Sequence, residues 1–385
     1  MSGGSFMTRI LEVRRYSEQT SRVYLKNPTL RESQTLRIVL YATILALVMA
    51  LSETHPLQAQ DRSPDLTELS LEELLEIEIT PINVLGMHTH LGDQWMLGYR
   101  YMLMRGEGNR SGSHRVSTSR VLEKFMMSPT QMKMEEHMFE LMYAPTDTLS
   151  LMAMLPYKRL SMDMVTVDGV RFTEDSEGLG DLTVMGLYTF HGDARKEGNR
   201  FVLNAGLSFP TGSINKKDFL DDPSVGRQRL EYAMQLGSGT FDLMPGITYL
   251  GQTKDWAWGA QAIATIRTGR NHNGYRLGNQ YRFTGWGAYR LTDWLAPSVR
   301  LDGRFWGNIH GADSRLDPTM SPTMDPKRQK GRRLDLLFGL NLYVPKGTLK
   351  GNRLTIEGGL PIHQWLKGPQ LETDWQLTVG WTYTF

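Results

Sequence analysis

The 385-residue chain has no cysteine, which excludes disulfides and thiolate metal sites. It also lacks an excess of either charge. The formal net charge is +2, and residues 1–59 hold seven of the basic and four of the acidic residues. The remaining residues carry 36 Lys+Arg (43 less 7) and 37 Asp+Glu (41 less 4). Such a balance offers no basic surface for a nucleic-acid partner. Long hydrophobic runs are scarce. The stretch 38–51 (IVLYATILALVMAL) is the one long example, and its length falls short of the roughly 20 residues a spanning helix needs.

That stretch fits export better. Arg31 and Arg37 precede it and Leu57-Gln58-Ala59 follows as a small-residue cleavage site. A charged region, an apolar core and such a site form a secretory signal peptide. Residues 1–59 are therefore expected to be leader, with 1–30 reading as a misplaced start. A buried core helix is the alternative. Residues 60–93 form the expected N-terminal periplasmic segment. Within it, 61–80 spaces leucines at roughly helical intervals among glutamates, which predicts a short acidic amphipathic helix. A disordered tail or a plug in a barrel mouth are the other readings.

Beyond residue 93 the dominant pattern has a period of two. In 372–385 (ETDWQLTVGWTYTF), Trp375, Leu377, Val379, Trp381, Tyr383 and Phe385 fall on one face, and the other face holds no large apolar residue. Alternation of this kind marks a β-strand. An apolar face ending in aromatics at the carboxyl terminus is similar to the closing strand of outer-membrane barrels. Such a strand would also be read by the barrel assembly machinery. Eleven earlier segments repeat the pattern, at 94–104, 132–144, 149–158, 180–190, 201–209, 240–250, 256–267, 281–291, 295–306, 333–344 and 353–362. About ten residues each suits tilted bilayer-spanning strands. The connections alternate long and short, the long ones near 105–131, 159–179, 210–239, 268–280, 307–332 and 363–371. Short turns are periplasmic and long loops extracellular in such barrels. The predicted fold is all-β, an antiparallel transmembrane β-barrel of about 12 strands over 94–385, in the bacterial outer membrane, in contact with its lipid and lipopolysaccharide.

Two local motifs carry a resemblance. SEGLGDLTVMGLYTF contains Gly178-Leu179-Gly180-Asp181, and NAGLSFPTGS contains Pro210-Thr211-Gly212. A GLGD entering one strand and a PTG ending the next resemble the outer-membrane transporter family named for the MetA pathway of phenol degradation. The resemblance is clearest over 176–215 and at the carboxyl terminus. It implies a small barrel that moves small, often hydrophobic molecules.

The face opposite the lipid should line the lumen. Between Met87 and Met164 lie 14 of the 22 methionines. Met96, Met102, Met104, Met132, Met134, Met138, Met142, Met152 and Met154 have inward parity on three neighbouring strands. Thioether sulfur suits Cu(I), and His88 and His90 add imidazoles at the periplasmic entrance, with Glu136 and Glu140 further in. Copper binding or transport is thus one reading, with copper a candidate cofactor under that reading alone. Flexible apolar packing under a folded-in loop or around a greasy ligand is the other. Elsewhere Arg100, Arg267, Arg282, Arg290, Arg300, Arg304 and Arg333 point inward, as do Asp302, Asp335, Glu357, Glu372 and Asp374. Paired charges of this kind either rigidify a barrel or select charged solutes. Lys327, Arg328, Lys330, Arg332 and Arg333 crowd one loop end, as a solvated loop or as a contact for lipopolysaccharide phosphates. No Ser/His/Asn or paired-Asp arrangement falls together by strand parity, so an enzyme is not expected. The leading reading is a passive channel for small solutes, with copper handling as the alternative.

Overall fold

The structure, a computed structural model, describes residues 88–193, 196–219 and 226–385. The expected leader, the helix at 61–80 and Met87 lie outside the described residues. No described helix is long and apolar enough to cross a membrane, which says nothing about spanning by strands.

Twelve antiparallel strands form the wall: β1 (Trp95–Glu107), β2 (Met127–Thr146), β3 (Leu149–Thr166), β4 (Leu182–His191), β5 (Gly198–Phe209), β6 (Asp242–Gln252), β7 (Trp256–Arg267), β8 (Gln280–Tyr289), β9 (Leu295–Trp306), β10 (Gly331–Tyr343), β11 (Asn352–Leu371) and β12 (Trp375–Thr384). Each pairs with its neighbours in sequence, and β12 returns to β1 with Met96 opposite Thr384 and Arg105 opposite Trp375. The last residue completes the seam. Phe385 donates its N–H to the Trp95 carbonyl at 2.9 Å and accepts the Trp95 N–H at 2.8 Å. Closure leaves no barrel edge, so every backbone group in the hydrocarbon layer can be satisfied within the wall.

The alternation resolves as expected. Leu97, Phe139, Leu151, Val184, Leu203, Ile247, Phe283, Leu301, Phe338 and Ile356 are all exposed on the outer surface. Aromatics crowd its two borders, Trp95, Trp256, Trp294 and Phe385 on the side of the short turns and Phe241, Tyr281, Phe305 and Trp375 on the other. An apolar band between aromatic girdles places this barrel in the bacterial outer membrane. His137 has the outward parity as well. Its Nδ1 lies 2.7 Å from the Tyr99 hydroxyl, among the rings of Tyr101 and Tyr157.

The connections differ from expectation. Strands β2 and β11 have 20 residues and β3 has 18. Much of the expected loops 105–131 and 159–179 is therefore strand. The expected long loop 363–371 is the end of β11, which reaches β12 through residues 372–374 alone. Two further pieces extend this wall. A hairpin of Asn109–Gly112 and His114–Val116 joins β11 through Leu366–Gly112 and Leu371–Asn109 pairs, and Arg171–Leu179 folds back along β3. Ladder hydrogen bonds continue past the membrane border, where lipid no longer imposes alternation on the side chains.

The remaining long loops fold over the extracellular mouth. Leu230, Tyr232, Met234 and Leu236 follow β5, Tyr275 follows β7, and Ile309, Leu316 and Met324 follow β9. All bury against Met127, Leu160, Met162 and Met164 on β2 and β3. The Tyr232 and Tyr275 rings meet edge to face at 4.9 Å. A buried pair fastens two of the loops, with Arg229 2.7 Å from Asp313, whose N–H donates to the Tyr232 hydroxyl at 3.0 Å. This roof needs apolar partners on the inner face of the extended strands, and methionine, unbranched and adaptable, supplies them.

Candidate functional site: the barrel lumen

The inward residues form two opposed surfaces. On β1–β4, Met96, Met142, Met152 and Met185 stand in register across four adjacent strands. With Leu187, Val202 and Leu250 they make one buried apolar cluster, against which Met154, Met244, Ile263 and Trp286 pack. Room for the row depends on Gly206. A Cβ there would lie 2.7 Å from Met185 Cε and 3.1 Å from Met244 Cβ. Gly259 similarly makes space for Trp286, whose ring would stand 2.3 Å from an added Cβ.

On the far side, β8–β10, three arginines stand in register: Arg282 opposite Arg304, and Arg304 opposite Arg333. Asp302 and Asp335 face each other in the adjoining row. Arg282 Nε and Arg304 Nε donate to the two oxygens of Asp302 at 2.6 and 2.9 Å. Arg333 Nε donates to Asp335 at 3.0 Å, and Gln376 Nε2 reaches the same carboxylate at 3.2 Å. Arg300 holds Glu357 in a bidentate pair. Nearer the apolar wall, Arg100 pairs with Glu140 and Arg267 with Asp242. Buried charges persist only when paired and hydrogen-bonded, and these satisfy that condition.

Several expected residues sit elsewhere. Arg290 lies one residue past β8 in a periplasmic turn and donates its N–H to the Asp255 carbonyl at 2.7 Å. Glu372 and Asp374 belong to the extracellular β11–β12 connection, where Arg110 and Arg115 bind Glu372. The nine methionines do not share one level. Met132 and Met134 pack against the roof core, while Met96, Met142 and Met152 lie in the lower cluster with Met154 beside them. Met104 turns to the charged side, 3.6 Å from an Arg333 nitrogen. No group of three or more His, Asp or Glu with metal-holding geometry occurs among the described residues.

His88 and His90 lie, as expected, at the periplasmic mouth. Their rings meet edge to face at 4.8 Å, and His88 Nε2 is 3.2 Å from Met96 Sδ. The His90 N–H donates to Ser150 Oγ at 3.1 Å, and Arg200 reaches Thr89 at 3.4 Å. Burial, and then the nearby His88 and Arg353, pull the His90 imidazole down to about 3, so it is neutral here.

The two motifs meet at the extracellular rim. Asp181 Oδ1 accepts the Gly212 N–H at 2.9 Å and its Oδ2 accepts the Ser238 N–H at 2.7 Å. Thr211 Oγ1 accepts the Leu182 N–H and donates to the Gly180 carbonyl, both at 2.8 Å. Gly212 and Gly237 touch backbone to backbone: an added Cβ on Gly212 would lie 2.8 Å from Gly237 Cα. GLGD and PTG thus anchor the loop after β5 to the barrel rim. Their residues build the roof and do not line the lumen.

Sequence reasoning passed over Met185, Leu187 and Trp286, although their parity placed them inward. They stand on mixed inner faces, Met185 and Leu187 between Thr183 and Thr189 and Trp286 beyond Arg282 and Thr284, where a single apolar residue carries little signal. The partners within each charge pair had no signal in the sequence.

A twelve-stranded closed barrel with an apolar outer band between aromatic girdles is an outer-membrane β-barrel. Residues 117–319, more than half of the chain, match the family model for the MetA pathway of phenol degradation, and the chain belongs to that family. Among solved structures, the COG4313 outer membrane channel from Pseudomonas putida F1 is 16% identical, with a TM-score of 0.56 over 77% of this chain and 97% of that one. A Pseudomonas aeruginosa FadL homologue is 12% identical, with a TM-score of 0.38 over 76% of this chain and 90% of that one. No curated protein matches the chain.

Proposed function

We propose that this barrel conducts small amphipathic solutes, bearing one apolar and one anionic or hydrogen-bonding side, passively across the outer membrane. The observation that carries the reading is a lumen with a methionine-rich apolar wall on β1–β4 toward the periplasmic end and the Arg282–Arg304–Arg333 row on β8–β10 toward the extracellular end. A flat apolar body can slide along Met154, Met244, Ile263 and Trp286, the partly exposed side chains that pack on this buried row, and the thioethers beneath adapt to irregular shapes. A carboxylate or hydroxyl on its other side can exchange among guanidinium donors already held in place by Asp302 and Asp335. Membership in the family supports the reading, because the resemblance to that family implies a small barrel that moves small, often hydrophobic molecules.

Bi-ionic reversal potentials in planar bilayers test this. Benzoate and gluconate carry the same charge and differ in their apolar face. Benzoate should be favoured beyond the ratio of the two aqueous mobilities, and Met154→Gln with Ile263→Gln should lower that preference. A permeability ratio equal to the mobility ratio, unchanged in the variant, would overturn the reading.

The contact between His88 and Met96 is the observation that favours copper handling as a second reading. Titration of purified protein with Cu(I), with and without Met96→Leu, decides it, and binding no higher than for a His88→Gln, Met96→Leu control removes it.

A further inference from the structure

Arg100, Arg267, Arg282, Arg300, Arg304 and Arg333 in the lumen are each matched by a carboxylate; two cations on the outer wall are not. Arg332 and Lys330 stand at the extracellular end of β10, and both are exposed. Neither forms an ion pair with any described carboxylate. The Arg332 guanidinium lies over the Trp365 ring at 5.7 Å, which leaves its edge donors free. Together with His310, Tyr281 and Trp306 these residues surround a cavity of about 640 Å³ whose lining contains no Asp or Glu.

Directly below, the lipid-facing wall is concave. Strand register explains why. Ile247, Ala262, Phe283, Gly303 and Leu334 lie side by side on β6–β10, so small residues alternate with large ones along the row. In the next row Ala260 and Gly285 stand together. The result is a groove of about 1060 Å³ with an almost wholly apolar lining and no carboxylate. Arg332 and Phe305 line both the groove and the cationic cavity, so the two form one continuous site.

We propose that this site binds one molecule of the phosphorylated, multiply acylated glycolipid of the outer leaflet, the lipid A part of lipopolysaccharide. Its phosphates occupy the Arg332–Lys330 rim, its sugar stacks on the aromatic border, and one acyl chain fills the groove over Ala262 and Gly303. The argument is charge complementarity joined to shape. A cation pair without counter-charge at the extracellular border suits a phosphate, which guanidinium and ammonium groups bind strongly. A smooth apolar channel beneath it suits a saturated chain. Ordinary annular lipid needs neither the notch nor the unpaired cations. The rim is distinct from the lumen, so a failure of this proposal leaves the channel reading untouched.

The test uses the full barrel, folded and in mild detergent, with native mass spectrometry as readout. The probes are Kdo2-lipid A, the same glycolipid stripped of its phosphates, and phosphatidylglycerol. Wild type should bind one equivalent of Kdo2-lipid A at least tenfold more tightly than either of the others. Lys330→Gln with Arg332→Gln should remove that preference, and Gly303→Leu should weaken binding of the intact and the stripped glycolipid alike. Heat-modifiable migration checks that each variant is folded. Equal binding of the three probes by wild type overturns the proposal without recourse to any variant, as does a double variant that binds within twofold of wild type. A second copy of the chain is the competing occupant. The chain has no native cysteine, so Ala262→Cys is a clean reporter, and disulfide-linked dimers at high yield in intact membranes would assign the groove to self-association instead.

Discussion

Arg300 and Glu357 pair across an intervening strand. Arg300 projects from β9 and Glu357 from β11, with Nε and Oε2 2.9 Å apart, while β10 contributes Gly339 and Ser298 on β9 crowds that glycine. A Cβ on Gly339 would lie 2.5 Å from Ser298 Oγ and 3.7 Å from Glu357 Cγ. Both charged side chains are almost completely buried. Removing one partner should leave a buried charge alone, at a cost of about 3–5 kcal/mol, while replacing both with apolar residues should cost far less. We expect Glu357→Gln to lower the temperature of heat-modified migration strongly, and Arg300→Met with Glu357→Leu to recover most of the loss. Equal destabilisation by the single and double variants would show that the pair itself, and not its desolvation, holds the wall.

The methionine wall invites a volume-conserving change. Met134 packs under the roof, whereas Met152 and Met154 belong to the lower cluster. Replacing Met134, Met138, Met152 and Met154 by leucine keeps apolarity and bulk, and such swaps usually cost below about 1.5 kcal/mol each. The variant should fold and conduct benzoate as wild type does. A Cu(I) titration of both proteins should give the same curve. Stoichiometric Cu(I) binding by wild type that the variant loses would establish a metal role for these sulfurs.

The roof holds a buried carboxyl whose ionisation it resists. Glu174, on the strand folded back against β3, is fully buried and lacks a hydrogen-bond partner for either oxygen beyond its neighbour Glu231. Burial first, then the charges of Glu231, Asp218 and Asp175, hold its carboxyl well above the usual 4.5. Glu231 is itself buried and accepts a hydrogen bond from Thr323 Oγ1 at 3.1 Å. A folded-state value above the unfolded one means that the folded roof binds the extra proton. Its stabilisation is complete below the unfolded value near 4.5 and is lost as pH rises through the folded value. The slope is about 1.4 kcal/mol per pH unit for one proton. Hydrogen exchange at Leu230–Leu236 amides should therefore quicken with pH above that expected chemically, and Glu174→Gln should abolish the excess and tighten the roof at neutral pH. A wild-type profile parallel to the variant's would refute this.

Topology is open to labelling. Ser113 and Ser314 are exposed on the side of the long loops, and Gly347 is exposed in the turn between β10 and β11. Epitopes at the first two positions should be reached by antibody on intact cells, and one at Gly347 only after permeabilisation. Thr323, a site that loop position alone would recommend, is buried against Glu231 and would break the roof if extended. Surface labelling at Gly347 would reverse the orientation.

The sequence by itself determined the class, the strand number and the side on which each wall residue stands. Lipid accepts only a closed, fully hydrogen-bonded wall with apolar side chains outward, so alternation is imposed residue by residue and is readable in one chain. Met96, Arg282 and Asp302 were placed inward by that count alone, and the final aromatic residue announced the seam that Phe385 and Trp95 close. What only the tertiary structure decided is everything beyond the reach of lipid. Above the membrane border β2, β3 and β11 continue with a different partition: on β3, Leu160, Met162 and Met164 are buried under the roof while Ser161 and Asp163 alternate with them, because water has replaced lipid on the outer face. Within the lumen, parity says that Arg300 and Glu357 both point inward, but their pairing across β10 depends on strand register and on the space left by Gly339. The outer groove depends likewise on register, which brings Ala262 beside Phe283 and Gly303 beside Leu334, residues far apart in the chain whose relative height the closing of the barrel sets.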